Sequence, residues 1–118
     1  MNRNKDKFVS GYWCVEYVDT TLEAWLDSLQ AIAFKSLAKE IKLLQFCGNA
    51  LRLPHSRSLG AGLFELRERR YGFRVYYTFL PDKKIVLLHA GDKSTQTQDI
   101  KRARSYLARL RDKLGKTS

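Results

Sequence analysis

The chain has 118 residues, of which 44% are hydrophobic, so it can build one compact core but not two. We therefore predict a single domain over residues 1–118, with a flexible start at residues 1–8. Lysine and arginine outnumber aspartate and glutamate by 22 to 12, which gives a formal charge of +10 and favours polyanionic partners. The polar N-terminus predicts neither a signal peptide nor a membrane span, and hence a cytoplasmic protein without membrane contact.

The first elements are predicted to be a strand and a helical segment. Residues 12–18 are rich in aromatic and β-branched side chains and have the length of a strand. Thr20 and Glu23 have the spacing of a capping box, which satisfies the free amides at a helix start. Apolar residues at intervals of three and four then continue to Leu44. This pattern predicts one long or two short amphipathic helices that end near Cys47.

The middle of the chain is predicted to form an antiparallel meander. The segment between Gly48 and Leu63, which contains Pro54, is predicted to be a loop. From Leu63 the apolar period changes to two, which is typical of a half-buried strand. Two further strands are predicted over residues 73–80 and 84–90, because both segments are dense in residues that favour strands.

A final amphipathic helix is predicted over residues 98–114, where a narrow apolar stripe runs among lysines and arginines. No repeat or linker interrupts the element order β-α-α-β-β-β-α. This order predicts an α+β fold with a four-stranded, mostly antiparallel sheet and all helices packed on one of its faces. The opposite face of the sheet would then be left for function.

Two arginines are the first candidates for a functional site. If the period of two holds, Arg67 and Arg74 project from the same side of neighbouring strands, on either side of one tight turn. Two guanidinium groups suit a phosphodiester, because each is a planar fork of donors that stays charged near neutral pH. Glu65 leaves an alternative open, since it could pair with one of the arginines in an ion pair with a purely structural role.

His89 is a second candidate, because it lies where an apolar strand abruptly turns polar, in the segment HAGDKST. A histidine at this position could take or give a proton near neutral pH. It could equally be a structural residue whose hydrogen bonds are satisfied within the fold.

Several common kinds of site have no counterpart in the sequence. It contains no Walker loop and no GxGxxG, GxSxG or HExxH motif, and Cys14 and Cys47 lack the spacing of a zinc site. We predict that both cysteines are buried, reduced thiols, and that the protein uses no metal and no cofactor. RNA cleavage needs neither, because the neighbouring 2′-OH is an internal nucleophile and arginine or lysine can neutralise the transition state.

Part of the chain resembles a known protein family. The matching features are GLFELR at residues 62–67, GFRVYY at residues 72–77, the strand end LLH, and a lysine shortly before Thr-Gln-Thr at the start of the last helix. Over residues 59–105 the sequence resembles the HigB-like, phage-derived branch of the RelE toxin superfamily. The fold of that family, a small sheet with two N-terminal helices, agrees with the element order read from the pattern.

The resemblance implies an endoribonuclease that enters the decoding site of the ribosome and cuts the bound mRNA through the 2′-OH route. It implies three partners, namely mRNA, the ribosome and a cognate helix-turn-helix antitoxin from an adjacent gene, and contact with DNA only through the antitoxin complex. By position, Arg74 matches the turn arginine that contacts the scissile phosphate, and Lys93 matches the basic residue after the last strand. Arg67 lies at a basic strand position.

The remaining candidates lie around these three residues. Arg69 and Arg70 are predicted to bind the substrate, and Tyr76 to stack on a base or to transfer a proton. Asp92 stands where the resemblance predicts a lysine, and it could be a substitute proton carrier or form a salt bridge to Lys93. The change at Asp92 is also consistent with a non-catalytic module of the same fold that binds nucleic acid or protein.

Overall fold

The computed structural model describes residues 12–116, and the predicted flexible start at residues 1–8 lies outside them. Within the described range, five strands and three α-helices form an α+β fold. In chain order these elements are β1 (Cys14–Tyr17), α1 (Thr20–Ser28), α2 (Ala31–Cys47), β2 (Ser56–Gly60), β3 (Leu63–Glu68), β4 (Phe73–Leu80), β5 (Lys84–Asp92) and α3 (Gln96–Lys116). Short 3-10 turns at Gly48–Ala50 and Lys93–Thr95 follow α2 and β5.

The strands form one sheet in the order β1-β5-β4-β3-β2. Strand β1 runs parallel to β5 and the other neighbours are antiparallel, which confirms the predicted mostly antiparallel sheet. The predicted number of four strands is wrong, because Ser56–Gly60 forms the edge strand β2 instead of a loop. Only Ser56 of this strand is buried, so its sequence lacks the apolar alternation by which strands are recognised.

The N-terminal helical segment divides into two helices. The N-cap of α1 is Asp19, whose Oδ1 accepts a hydrogen bond from the amide of Thr21 at 2.9 Å, so the cap predicted at Thr20 is one residue late. A short extended break then separates α1 from α2. Helix α2 ends at Cys47 as predicted, because Gly48 adopts a positive φ of 55° that stops the helix.

Helices α1 and α2 cover one face of the sheet and form the larger of two cores. The apolar stripes that predict these helices are the surfaces that pack on the strands, and their burial is the main source of stability. The buried residues of this core are Val15, Leu22, Leu26, Phe34, Leu37, Ala38, Ile41, Leu44, Leu66, Val75, Tyr77, Ile85, Leu87 and Ala90.

Helix α3 covers the opposite face of the sheet. Its residues Ala103 and Leu107 belong to a second core with Leu63, Val86 and Leu88. The prediction that all helices lie on one face and leave the other free is therefore wrong. A narrow apolar stripe shows that a helix is packed, but it does not show on which side of the sheet.

Strand β3 is buried on both faces, so the predicted half-buried strand is also wrong. Glu65 and Glu68 are as inaccessible to solvent as Leu63 and Leu66. Because a buried carboxylate is stable only when it is paired and hydrogen-bonded, these two residues identify where the polar contacts of the structure concentrate.

Candidate nucleic-acid interface

The hairpin of β3 and β4 brings the two predicted arginines together. Arg67 and Arg74 are directly opposite each other in the register of these strands, so both side chains leave the same face of the sheet. Arg74 is only 7% exposed and Arg67 is partly buried. Within the described chain, the Nε atoms of both are buried without a hydrogen-bond partner. This arginine pair has the adjacent charges and unused donors of an anion-binding site.

A fully buried carboxylate lies beside the arginine pair. Glu65 Oε1 accepts a hydrogen bond from Arg57 Nε at 2.9 Å and lies 4.0 Å from Arg74 Nε. Its other oxygen, Oε2, accepts a hydrogen bond from Gln96 Nε2 at 2.7 Å. The ion pair considered as an alternative is therefore formed, chiefly with Arg57 of β2 and at longer range with Arg74. Arg67 forms no ion pair within residues 12–116.

A second buried carboxylate shapes the turn between β3 and β4. Glu68 accepts hydrogen bonds from the amides of Arg70 at 3.0 Å and Tyr71 at 2.9 Å, and from the hydroxyl of Ser36 at 2.6 Å. These bonds hold the turn against α2. Arg69 and Arg70, the predicted substrate-binding residues, are exposed in this turn, next to the arginine pair in the chain.

Lys93 lies at the same end of the sheet. Its amide donates a hydrogen bond to the carbonyl of Gly72 at 3.0 Å, so the 3-10 turn after β5 rests against the turn between β3 and β4. The carbons of its exposed side chain pass over Gly72, which has a φ of 80°. Lys93 is thus held against the turn that joins the two strands of the arginine pair, and its role in the site stays a prediction.

Asp92 caps the 3-10 turn that carries Lys93. Its Oδ1 accepts hydrogen bonds from the Ser94 hydroxyl at 2.5 Å and the Ser94 amide at 2.8 Å, and these bonds lower the pKa of the carboxyl group. The salt bridge to Lys93 considered above is not formed among the described residues. Because the carboxylate is ionised at neutral pH, Asp92 could accept a proton there but could not donate one.

His89 is held by the start of α3. Its Nε2 lies 2.8 Å from Asp99 Oδ1, and Asp99 Oδ2 accepts a hydrogen bond from the Thr95 hydroxyl at 2.5 Å. The imidazole ring also stacks on Tyr106, with ring centroids 6.0 Å apart. This close packing requires Gly91, because a Cβ there would collide with the Asp99 carboxylate. The contacts match the structural alternative for His89, and its role in proton transfer stays a prediction.

Tyr76 lies in the core beneath α3. It is fully buried, and its hydroxyl faces the carboxylate of Glu65 without forming a well-aligned hydrogen bond in residues 12–116. Burial, and then the charges of Glu65 and Asp99, raises the pKa of the phenol well above its usual range, so it stays protonated and is not a general base. The structure corrects the prediction that Tyr76 stacks on a base, because its ring does not reach the surface.

Arg57 and Gln96, the hydrogen-bond partners of Glu65, are site residues that the sequence does not predict. Arg57 belongs to the strand that is mistaken for a loop, and Gln96 is separated from Glu65 by 31 positions. The one sequence feature that could have indicated such partners is Glu65 itself. A carboxylate between apolar neighbours in a strand requires a cation or donor from elsewhere in the chain.

Residues 12–116 bring together no three His, Cys, Asp or Glu side chains that could hold a metal ion. The two cysteines are free thiols, but Cys14 is exposed and Cys47 partly exposed, so the prediction that both are buried is wrong. None of the helices in this range is both long and apolar enough to cross a membrane.

The arrangement of strands and helices is similar to that of solved structures of E. coli RelE. A mutant of the E. coli toxin RelE in its free state matches with a TM-score of 0.57 at 13% identity, over 79% of this chain and 98% of that one. The isolated E. coli RelE toxin matches with a TM-score of 0.55 at 15% identity, over 78% and 98% of the two chains. This chain therefore has a RelE-like α+β fold, as predicted.

Sequence comparison gives the family. The model of the phage derived protein Gp49-like (DUF891) family matches residues 24–111. An uncharacterized protein of Haemophilus influenzae is 40% identical over 86 residues, which are 71% of this chain and 83% of that protein. The chain belongs to the Gp49-like (DUF891) family. The predicted phage-derived family is thereby confirmed, and the fold is similar to that of RelE.

Proposed function

We propose that this chain is the toxin of a toxin–antitoxin pair and that it acts as an endoribonuclease on mRNA bound to the ribosome. The observation that carries the proposal is the arginine pair, two guanidinium groups opposite each other whose buried Nε atoms form no hydrogen bond within the described chain. Lys93 adjoins the pair through the contact of its turn with Gly72. The RelE-like fold and the family support the assignment, because RelE itself is described as a toxin.

The chemistry we propose is attack of the 2′-oxygen on the neighbouring phosphorus. The bond from the 2′-oxygen to phosphorus forms and the bond from phosphorus to the 5′-oxygen breaks. A base takes the proton of the 2′-hydroxyl, and an acid donates a proton to the leaving 5′-oxygen. Arg67, Arg74 and Lys93 would bind the phosphate oxygens, where negative charge increases in the transition state. Asp92, which is ionised, and His89 are the candidates for proton transfer.

The partners follow from this chemistry and from charge. A formal charge of +10 favours association with mRNA and with the ribosome, both of which are polyanions. We also propose a cognate helix-turn-helix antitoxin from an adjacent gene, with contact to DNA only through the antitoxin complex. All of these partners place the protein in the cytoplasm.

The test is to induce the wild-type chain in bacteria and to map the 5′ ends of mRNA. We expect growth to stop, new 5′ ends to form within translated regions, and co-expression of the antitoxin to reverse both. The Arg74→Ala variant should accumulate without new ends, whereas Lys39→Ala, which removes an exposed charge on α2, should behave as wild type.

A folded wild-type chain that creates no new 5′ ends would refute the nuclease assignment. If that chain still bound single-stranded RNA, the non-catalytic module considered from the sequence would be the better description. New ends in untranslated as well as translated RNA would retain the nuclease but remove its dependence on the ribosome.

A further inference from the structure

The ion pair between Arg57 of β2 and Glu65 of β3 adds a further arginine next to the arginine pair. Arg57 and Glu65 are opposite each other in register, and the Arg57 Nε donates to Glu65 Oε1 at 2.9 Å. The same oxygen lies 4.0 Å from the Nε of Arg74, which enters from β4 on the other side. One buried oxygen therefore lies between two guanidinium groups from strands that are not neighbours.

We propose that Glu65 is a positioning residue for the RNA-binding arginines and that Arg57 is a third arginine of that site. The inference rests on the proposed function. Glu65 uses the Nε of Arg57, so the terminal amino groups of this arginine are left for a phosphate oxygen. The Arg57 side chain is 43% exposed, whereas Glu65 is fully buried, so the carboxylate holds the guanidinium from below.

The burial of Glu65 is difficult to explain by stability alone. Removing a carboxylate from water costs several kcal/mol, and an apolar side chain of similar volume often stabilises a core as well or better. Glu65 is instead contacted by groups from three elements, namely Arg57 of β2, Arg74 of β4 and Gln96 of α3. It therefore fixes the relative positions of two guanidinium groups and of the start of α3.

The position of Arg57 also indicates the course of the ligand. It lies on β2, the edge strand, and the arginine pair lies on β3 and β4. Neighbouring strands are about 5 Å apart and Arg57 is offset by two residues along the strands, so the three arginines form a diagonal row across the sheet about 12 Å long. Such a row suits the backbone of single-stranded RNA, which would cross the hairpin and leave the protein over the β2 edge.

The decisive variant is Glu65→Gln, which keeps the shape of the side chain and removes its charge. If Glu65 positions the arginines, cleavage per folded molecule should fall on the order of 10-fold or more, because the guanidinium groups lose their orientation. Binding of RNA should not weaken, since the variant has one more net positive charge. Arg57→Lys should also cleave poorly, because lysine keeps the charge but not the planar fork.

Glu16→Gln is the matched control, because it adds the same charge at an exposed position on β1, the opposite edge of the sheet. It should bind RNA as Glu65→Gln does and cleave as wild type does. An ion pair with only a structural role predicts a different result, namely a lower Tm for Glu65→Gln with cleavage per folded molecule equal to that of the control. That result would overturn the proposal.

A second measurement separates this inference from the proposed function. The Nε–H signals of Arg57 and Arg74 can be followed by NMR while a five-nucleotide single-stranded RNA with 2′-O-methyl groups, which cannot be cleaved by the 2′-OH route, is added. We expect both signals to shift together in the wild type and to lose this response in Glu65→Gln. If the wild type cleaves no mRNA, the proposed function fails but these shifts still support positioning. If Arg57 does not respond in the wild type, the inference fails.

Discussion

The two faces of the sheet are constructed differently. The face under α1 and α2 is covered by an apolar core, and its one described buried carboxylate, Glu68, lies at the turn end and is bonded to Ser36 of α2. The face under α3 is divided into an apolar part around Leu63 and Leu88 and a polar part that contains Glu65, Arg74 and His89. Apolar burial stabilises a fold without any partner, whereas each buried charge depends on a specific one. We therefore expect the polar part to be maintained at a cost in stability, as functional sites commonly are.

The largest effect is expected from breaking the polar part at Arg74. Arg74→Ala should reduce mRNA cleavage in a translating extract by about 100- to 1,000-fold, the usual loss when one preorganised donor to a transition state is removed. Far-UV circular dichroism should show that the fold is intact. Arg74→Lys should recover only part of the rate, because lysine lacks the fork of donors. A rate equal to wild type in Arg74→Ala would mean that the site is elsewhere.

A substitution in the core under α1 and α2 should lower the free energy of unfolding and leave the rate of cleavage unchanged. Leu66 is fully buried under α1 and α2, so Leu66→Ala should lower the free energy of unfolding by about 2–5 kcal/mol. Urea titration measures this, and cleavage per folded molecule should be unchanged. Ile32→Ala is the control because Ile32 is 58% exposed. Equal losses in the two variants would contradict the assignment of the core.

A smaller effect that depends on pH is expected at Asp92. Its bonds to Ser94 lower the pKa below the ordinary value of 3.8, so the carboxylate contributes stability above that value and loses the contribution as pH falls through the folded-state pKa. The difference in unfolding free energy between wild type and Asp92→Ala should therefore be present at pH 7 and shrink towards about pH 2. A difference independent of pH would show that the charge plays no part.

The smallest effect is expected at Tyr76, on the boundary between the two parts of the α3 face. Its hydroxyl is buried beside Glu65 without a well-aligned hydrogen bond in the described chain, so Tyr76→Phe should not lower the free energy of unfolding and should raise it by at most about 1 kcal/mol. Cleavage should stay at the wild-type rate. A large loss of cleavage without loss of stability would show that the phenol takes part in the reaction after all.

Much of the fold is predictable because its signals are local. The helical stripe of α2, the dense strand-favouring residues of β4 and the glycine after Cys47 each report on structure within a few residues. Strand β2 is missed because an edge strand pairs through its backbone and needs few apolar side chains. The side of the sheet that α3 covers is missed because it depends on contacts with residues far away in the chain.

The site is predictable only in part for a related reason. Arg67 and Arg74 are found because a period of two and one tight turn place them together. The burial of Glu65 is missed because charged residues in an alternating strand are expected to face water, whereas its hydrogen-bond partners come from β2 and α3. Periodicity reports which side of a strand a residue occupies, but it does not report what covers that side.

The packing of Gly91 against Asp99 makes these two positions interdependent. A side chain at position 91 would displace the carboxylate that holds both His89 and Thr95, and with it the start of α3. Homologues that carry a larger residue at position 91 must therefore have a shorter one at position 99 or a helix that begins further from the sheet. We expect the two positions to co-vary within the family, so that neither can be exchanged between relatives without the other.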